Sequence, residues 1–535
     1  MVNADAYRLS IAEEADQFES LSAITRLTFE GVEDQYSEKT GKQLKWPWAR
    51  FTFPPQPIDA EIGKGSKLIV AVNEQEWVFF TVATIDADAG ELAVTWDAAA
   101  EEHGVYPSSL VHYEWFREGA KLTSLEELAD EMLAGRGDRV GHAMLRRDPP
   151  VFLPGSGPAG GEFAADVPAI CAWATGLDRS YVPIQGPPGT GKTYTGAQLV
   201  HTLVTAGLRV GSTAMSHAAI DNLMQAVVDR FKEEGDSGKL RAVRKAKEGA
   251  LRGIRYVDDN AGVARSGFNV VAGTTWLFAS KPMREVPVDV LVVDEAGQLG
   301  LADTLASTIS ATNVILLGDP QQLPQVSQAS HPGGAGASAL EHLLDGDITV
   351  PADRGVLLET TWRMHPDVCE FISDVMYGGR LHSHPCCGGQ SVAGATGLRW
   401  LRAEHKGRST ESPEEAAIVV AKVRELLGRP WTDQHGVTRP LTVRDFMVVA
   451  PYNDQRRCIT EALQVDPATR RVEVGTVDKF QGREAAVVLF SMATSSAEYM
   501  PRSADFLLSK NPLNVAIRRP RCLAYLVCTD ELLDT

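Results

Sequence analysis

The stretch Tyr181-Val182-Pro183-Ile184-Gln185-Gly186-Pro187-Pro188-Gly189-Thr190-Gly191-Lys192-Thr193 decides the fold. Its apolar start, Tyr181 to Ile184, reads as a strand, and Tyr194 to Thr205 beyond it reads as a helix. Between them Gly186, Pro187, Pro188, Gly189, Thr190, Gly191, Lys192 and Thr193 make a complete phosphate-binding loop. Glycines let successive backbone N–H groups curl around phosphate oxygens, the Lys192 ammonium reaches the β- and γ-phosphates, and the Thr193 hydroxyl can ligate Mg²⁺. Eight residues with both flanks in place are too specific for an ordinary surface turn.

A triphosphate site needs carboxylates as well. About 100 residues downstream the apolar run Val288 to Val293 delivers Asp294 and Glu295 at the carboxyl end of a second strand, where open α/β sheets bind ligands. Asp294 would hold Mg²⁺ together with Thr193, and Glu295 would orient and deprotonate an attacking water.

The 535 residues predict three or four domains at roughly 150 residues each. No apolar run approaches the ~20 residues of a membrane helix, so no membrane association is expected. Met1 to Glu19 carries acids where a secretory leader would carry bases. Seven scattered cysteines without a CxxC pair suit a reducing compartment, and a cytoplasmic location is expected. His382, His384, Cys386 and Cys387 lie close together, but adjacent cysteines suit one tetrahedral ion poorly, and an ordinary loop is the expectation.

The net charge of −18 discourages nonspecific nucleic-acid binding only if spread evenly. Lys239, Arg241, Arg244, Lys245, Lys247, Arg252 and Arg255 cluster with Glu248 as the one acid among them; a solvated helix face and a phosphate track fit equally well.

Along the chain, residues 1–45 read as an acidic helical segment and 46–120 as a small β-barrel-like domain, from the β-rich runs Lys67 to Val72, Glu76 to Ile85 and Glu91 to Trp96. Residues 121–165 read as a helix and a Pro/Gly-rich linker. Two α/β units follow, 166–350 with the phosphate-binding loop and 351–535 without it, the second opening with the strand-like run Val356 to Glu359. The fold class is therefore α/β, a bilobed ATPase with nucleotide in the cleft.

Over roughly residues 165 to 530 the ordered motifs resemble superfamily 1 helicases, of the branch related to the nonsense-mediated-decay RNA helicase and to bacterial helicases fused to RecB-like nucleases. The motifs are the loop above, Ser212 to His217, Ala272 to Thr275, Asp294-Glu295, Gly318 to Pro324, Trp362 to Pro366, Gly475 to Glu484 and Leu513 to Ile517. The resemblance implies two tandem RecA-like P-loop domains, with the N-terminal β-rich region as an accessory barrel. It implies ATP and Mg²⁺ as ligands and translocation 5′ to 3′ on single-stranded nucleic acid, DNA being expected over RNA, in repair, processing or defence. Gln322 would sense the γ-phosphate, Arg363 and Arg519 would act as arginine fingers, and Gln481 and Glu484 would face the nucleotide. Ser216, His217, Thr274, Thr275, Pro451, Tyr452, Asn453 and Thr476 would contact the strand. A RecB-like nuclease has no motif in these residues, so such an activity is expected in trans or on a missing N-terminal segment.

Two departures stand out. The finger segment reads Arg518-Arg519-Pro520-Arg521, with Pro512 nearby, and Pro520 removes a backbone donor and constrains Arg519. The glutamine that commonly reads adenine has no counterpart in Glu162 to Asp178. The missing glutamine implies loose base selectivity; Pro520 and Arg518 make a clamp or switch with weak hydrolysis and no unwinding the alternative to a motor, and a small-molecule kinase is disfavoured by the second lobe.

Overall fold

The computed structural model describes residues 10, 17, 20, 22–36, 41–54, 56, 58–59, 62–73, 76–87, 89–104, 106–113, 119–265, 267–322, 332–476, 480, 483–500 and 519–534. Gln481, Pro512 and Arg518 lie outside them. The chain forms two compact units, one from the residues before Gly119 and one from Gly119 onward.

In the first unit, among the described residues, seven strands form one antiparallel sheet: β1 (Ala23–Thr25), β2 (Thr28–Glu33), β3 (Trp48–Thr52), β4 (Lys67–Asn73), β5 (Glu76–Asp86), β6 (Glu91–Thr95) and β7 (Ser109–Tyr113). Inward residues alternate along β3 and β5, and Phe51, Leu68, Phe80, Val94 and Leu110 close its core. The helical expectation for residues 1–45 fails at 23–33, where β1 and β2 join this sheet. Their partners are β7, far along the chain, and β3, the next strand, and this pairing overrides the local acidic composition.

The second unit holds two parallel sheets. The first lobe carries β8 (Tyr181–Gln185), β9 (Val210–Thr213), β10 (Ala242–Lys245), β11 (Ile254–Val257), β12 (Val270–Ala272), β13 (Val288–Val293), β14 (Ala311–Gly318) and β15 (Val356–Leu357). They run in the order β11-β10-β12-β9-β13-β14-β8-β15. Near-continuous apolar strands follow from burial on both faces: Val290 and Val292 point into one core, Leu291 and Val293 into the other. Each such aliphatic side chain contributes about 1.5–3 kcal/mol.

Helices α1 (Gly119–Leu133) and α2 (Val140–Arg146) pack Leu128, Val140 and Met144 onto this sheet, so 121–165 is in part a piece of the lobe and not only a linker. The run Val356 to Glu359, expected to open the second lobe, instead places β15 beside β8 and completes the first sheet. The basic run holds β10 and β11, which corrects its reading as one helix face; Arg244 within it is 1% exposed.

The second lobe is built on β19 (Gly397–Arg402), β22 (Phe446–Val449), β23 (Glu473–Gly475), β24 (Ala485–Ser491) and β25 (Pro520–Cys528), in the order β19-β25-β24-β22-β23 and parallel throughout. Between the sheets the chain forms the short pair β16 (Thr360–Thr361) and β17 (His382–Ser383), and two further strands, β18 (Ser391–Val392) and β20 (Pro430–Thr432), pair with each other. Strand β21 (Thr438–Pro440) completes a hairpin with β20.

Candidate active site

The loop after β8 runs into α3 (Lys192–Thr205), whose N-terminus is capped by the backbone of Gly191 at φ +83°, without a side-chain cap. The first N–H groups of that helix are thus left for an anion, and the helix dipole adds to their attraction. Lys192 Nζ donates to the Gly186 carbonyl at 2.7 Å, and Thr190 Oγ1 donates to the Pro187 carbonyl at 2.7 Å. Gly189 is required twice over. Its φ is +77°, and a Cβ there would stand 2.5 Å from Cβ of Arg363 and 2.6 Å from Oγ1 of Thr361.

Asp294 closes β13 and is almost fully buried. Burial first, and then the neighbouring Glu295 charge, push its carboxyl up to about 7, against the Glu295 N–H, which donates to Oδ1 at 2.9 Å, and the Lys192 ammonium. Glu295 itself sits at φ +51°, a left-handed conformation that costs a non-glycine residue of order 1 kcal/mol, and it lines the cavity between the lobes. A divalent cation would draw Asp294 into its ionised form, and Thr193 stands in the first turn of α3. This donor set fits Mg²⁺.

A cavity of about 410 Å³ lies between the lobes of the second unit. Pro187 to Thr193, Glu295 and Gln322 line it from the first lobe; Arg363, Glu484 and Arg519 line it from the second. The structure therefore brings together all five residues expected to catalyse. Glu484 is ion-paired with both Arg363 and Arg521. Burial would raise its carboxyl, but the two guanidiniums outweigh burial and hold it below the ordinary carboxylate range. Pro520 is the first residue of β25, paired with Ala485, where a missing N–H costs little; the Ala485 N–H donates to the Arg519 carbonyl at 3.2 Å. Arg519 is 7% exposed and its side chain lines the cavity.

Several lining residues escaped sequence reasoning. Asn222 and Tyr194 come from helices of the first lobe, Gln434 from the β20–β21 hairpin, and Trp362 from a motif whose arginine drew the attention. The Trp362 ring is half exposed and stacks on His384 with centroids 3.6 Å apart, and the Trp362 backbone N–H donates to the Gly189 carbonyl at 2.8 Å. An exposed aromatic beside a phosphate loop is a candidate stacking surface for a nucleobase, a criterion by which Trp362 could have been found. Gln434 gave no sequence signal.

The residues expected to contact nucleic acid all follow the carboxyl ends of strands: Ser216 and His217 after β9, Thr274 and Thr275 after β12, Pro451, Tyr452 and Asn453 after β22, and Thr476 after β23. Within each lobe the two strands concerned are direct neighbours. Ser216 and His217 are exposed, Ser216 capping α4 (His217–Glu233) by accepting from the Ala219 N–H at 3.1 Å. Buried Arg244 donates to Nδ1 of His217 at 2.7 Å and to Asp221 at 2.9 Å, so the ring proton of a neutral His217 sits on Nε2. Asn453 is exposed and Thr274 and Thr476 half-buried, whereas Thr275 is 4% exposed and offers little side-chain surface. Tyr452 packs against the cluster of Met447, Val449 and Phe490, and burial raises its phenol.

Two families described as AAA domain match the chain, one over residues 169–339 and the other over 336–531. The chain is 26% identical over 377 residues to the DNA replication ATP-dependent helicase/nuclease JHS1 of Arabidopsis thaliana, covering 64% of this chain and 26% of that protein. It is 29% identical over 359 residues to the DNA replication ATP-dependent helicase/nuclease DNA2 of Gallus gallus, covering 64% and 34%. It is 24% identical over 473 residues to the DNA-binding protein SMUBP-2 of Mesocricetus auratus, covering 72% and 46%. The matches thus span between about a quarter and a half of these relatives' own lengths. No helix among the described residues is long and apolar enough to cross a membrane.

Proposed function

We infer that this chain, which belongs to the superfamily 1 helicases, is an ATP-driven translocase or helicase on single-stranded DNA, moving 5′ to 3′. The observation that carries this reading is the interlobe cavity in which Lys192, Glu295, Gln322, Arg363 and Arg519 converge. Lys192 and the α3 N-terminus bind and orient the triphosphate. Glu295 takes the proton from the attacking water, and Gln322 beside it responds to the γ-phosphate. Arg363 and Arg519 place fixed positive charge where the transition state gathers negative charge, in a cleft partly screened from water. Thr193 and Asp294 would hold Mg²⁺, which when bound would supply charge neutralisation on the phosphates.

Because the fingers and the loop belong to different lobes, filling the cavity with nucleotide draws the lobes together and emptying it releases them. Ser216, His217 and Thr274 on one lobe, and Asn453 and Thr476 on the other, then grip the strand alternately through hydroxyls, amides and the His217 Nε2–H, without reading sequence. DNA is assigned over RNA because the relatives are named for DNA replication or DNA binding. The nuclease named in two of them is assigned to a partner in trans or to chain outside these residues. The clamp reading is motivated by Pro520 and Arg518; Pro520 opens β25, where a missing N–H costs little, and Arg518 lies outside the described residues, so the motor is the reading preferred.

The test is strand displacement with ATP and Mg²⁺ on duplexes carrying a 5′ or a 3′ single-stranded tail. Displacement on the 5′-tailed duplex alone supports the reading. Displacement on the 3′-tailed duplex reverses the polarity, and ATP turnover without displacement on either supports the clamp.

A further inference from the structure

The loop expected to be ordinary, His382 to Cys387, carries a thiol pair with a base beside it. Cys386 is half-buried and Cys387 fully buried, their Sγ atoms 4.0 Å apart. The Cys386 thiol donates to Nδ1 of His384 at 3.0 Å, and the Cys386 backbone N–H donates to the same nitrogen at 3.3 Å. Nδ1 is therefore the unprotonated nitrogen, ready to take the thiol proton. That arrangement, an accessible thiol with an adjacent imidazole and a second thiol within reach, is the chemistry of an attacking and a resolving cysteine.

The other thiols are poorer nucleophiles. Burial pushes Cys369, Cys522 and Cys528 up to about 12, and burial with the neighbouring Cys386 pushes Cys387 up to about 11. The pair also touches the nucleotide loop by a short path. The His384 ring stacks on Trp362, the Trp362 backbone N–H donates to the Gly189 carbonyl at 2.8 Å, the His384 backbone N–H donates to the Thr361 carbonyl at 2.9 Å, and Thr361 Oγ1 donates to the Pro188 carbonyl at 2.9 Å.

We propose that Cys386 and Cys387 form a vicinal dithiol site that hydroperoxides oxidise reversibly, and that its closure loosens the Trp362 platform. The Cys386 sulfur, its proton passed to His384, attacks one peroxide oxygen. An S–O bond forms, the O–O bond breaks, and the leaving alkoxide, or hydroxide from hydrogen peroxide, takes up that proton. The Cys387 thiol then attacks the sulfenic sulfur, an S–S bond forms, the S–O bond breaks, and water leaves with the Cys387 proton. Two electrons pass from the dithiol to the hydroperoxide, and a dithiol reductant returns them.

Closure shortens 4.0 Å to about 2.05 Å and draws the sulfur off Nδ1 of His384. Adjacent Cα atoms stand about 3.8 Å apart across a trans peptide, below the usual disulfide range of about 4.4–6.8 Å, so the bond is easily reduced.

The experiment treats the full chain with stoichiometric hydrogen peroxide and weighs the tryptic peptide Leu381 to Arg399, which contains both cysteines. The peptide should lose two hydrogen masses and regain them with dithiothreitol. Cys386→Ser should abolish the loss, and Cys387→Ser should trap a dimedone-reactive sulfenic acid on Cys386. An unchanged peptide, oxidation proceeding equally in Cys386→Ser, or a disulfide from Cys387 to Cys369 overturns the site.

The link to Trp362 rests on the nucleotide-site reading and is read separately, by a fluorescent ATP analogue. Oxidation should weaken its binding about 2- to 10-fold, the range one aromatic contact supplies, and not in Cys386→Ser. Equal affinity in both redox states overturns the link; no binding by the reduced protein overturns the nucleotide reading and leaves the mass result standing.

Discussion

The Tyr377 hydroxyl donates to Oδ2 of Asp319 at 2.8 Å, with both side chains buried. Asp319 follows β14 of the first lobe, and Tyr377 ends the helix Pro366–Tyr377 that packs against β19 and β25 of the second. A buried hydrogen bond to a carboxylate is worth about 1.5–3 kcal/mol, and this one ties the strand end next to Gln322 to the lobe that carries the fingers. Tyr377→Phe keeps the ring and removes the donor. It should leave ATP affinity within about twofold, since the bond is worth its energy to lobe coupling and not to the phosphates. DNA stimulation of turnover should fall about tenfold, as expected for a loss of about 1.4 kcal/mol of coupling. Undiminished stimulation would separate Asp319 from lobe coupling.

Gly189→Ala adds one methyl where there is room for none, on a backbone at φ +77°. The clash with Arg363 and Thr361 should destabilise the second unit by about 1–3 kcal/mol and weaken nucleotide binding at least tenfold. Calorimetric melting and nucleotide titration measure both. Wild-type values would mean the lobes are not in contact there.

Arg519→Ala should lower kcat by about 10³ with little change in nucleotide affinity, because a finger acts on transition-state charge. If turnover is unchanged, the guanidinium lining the cavity does not reach the phosphates, and Arg363 is the finger that remains.

The loop, the carboxylates and the apolar strands that carry them were legible because each is local: glycines, a lysine and adjacent acids on apolar strands announce themselves at short range. What sequence missed depends on distant partners. Strands β1 and β2 are defined by β7 and β3, β15 by β8, and Arg244 by the His217 and Asp221 that accept its hydrogen bonds. Pro520 looked like an obstacle because its place at the start of β25 is set by pairing with Ala485. Gln434 and Asn222 are polar residues in no motif, and only the folded cavity gives them a common neighbour.

Asp294 sets a pH dependence. Its folded carboxyl titrates at about 7, above the ordinary carboxylate value, so between those values the folded protein binds a proton that the unfolded chain has lost. Stability contributed by this group therefore falls as pH rises toward 7 and stays low above it. Asp294→Asn removes the buried charge and should raise the melting temperature at pH 8 by about 2 °C or more, with the gain vanishing at pH 4. It should also abolish Mg²⁺-dependent turnover. A lower melting temperature at pH 8 would show that the Asp294 charge is compensated in the fold.

The most direct test of the central claim is steady-state ATP hydrolysis by the purified protein, alone, with single-stranded DNA and with single-stranded RNA, beside Lys192→Ala. The account predicts turnover that rises strongly with single-stranded DNA and disappears in Lys192→Ala while the variant melts as the wild type does. Turnover indifferent to any polynucleotide, or retained in Lys192→Ala, would contradict it.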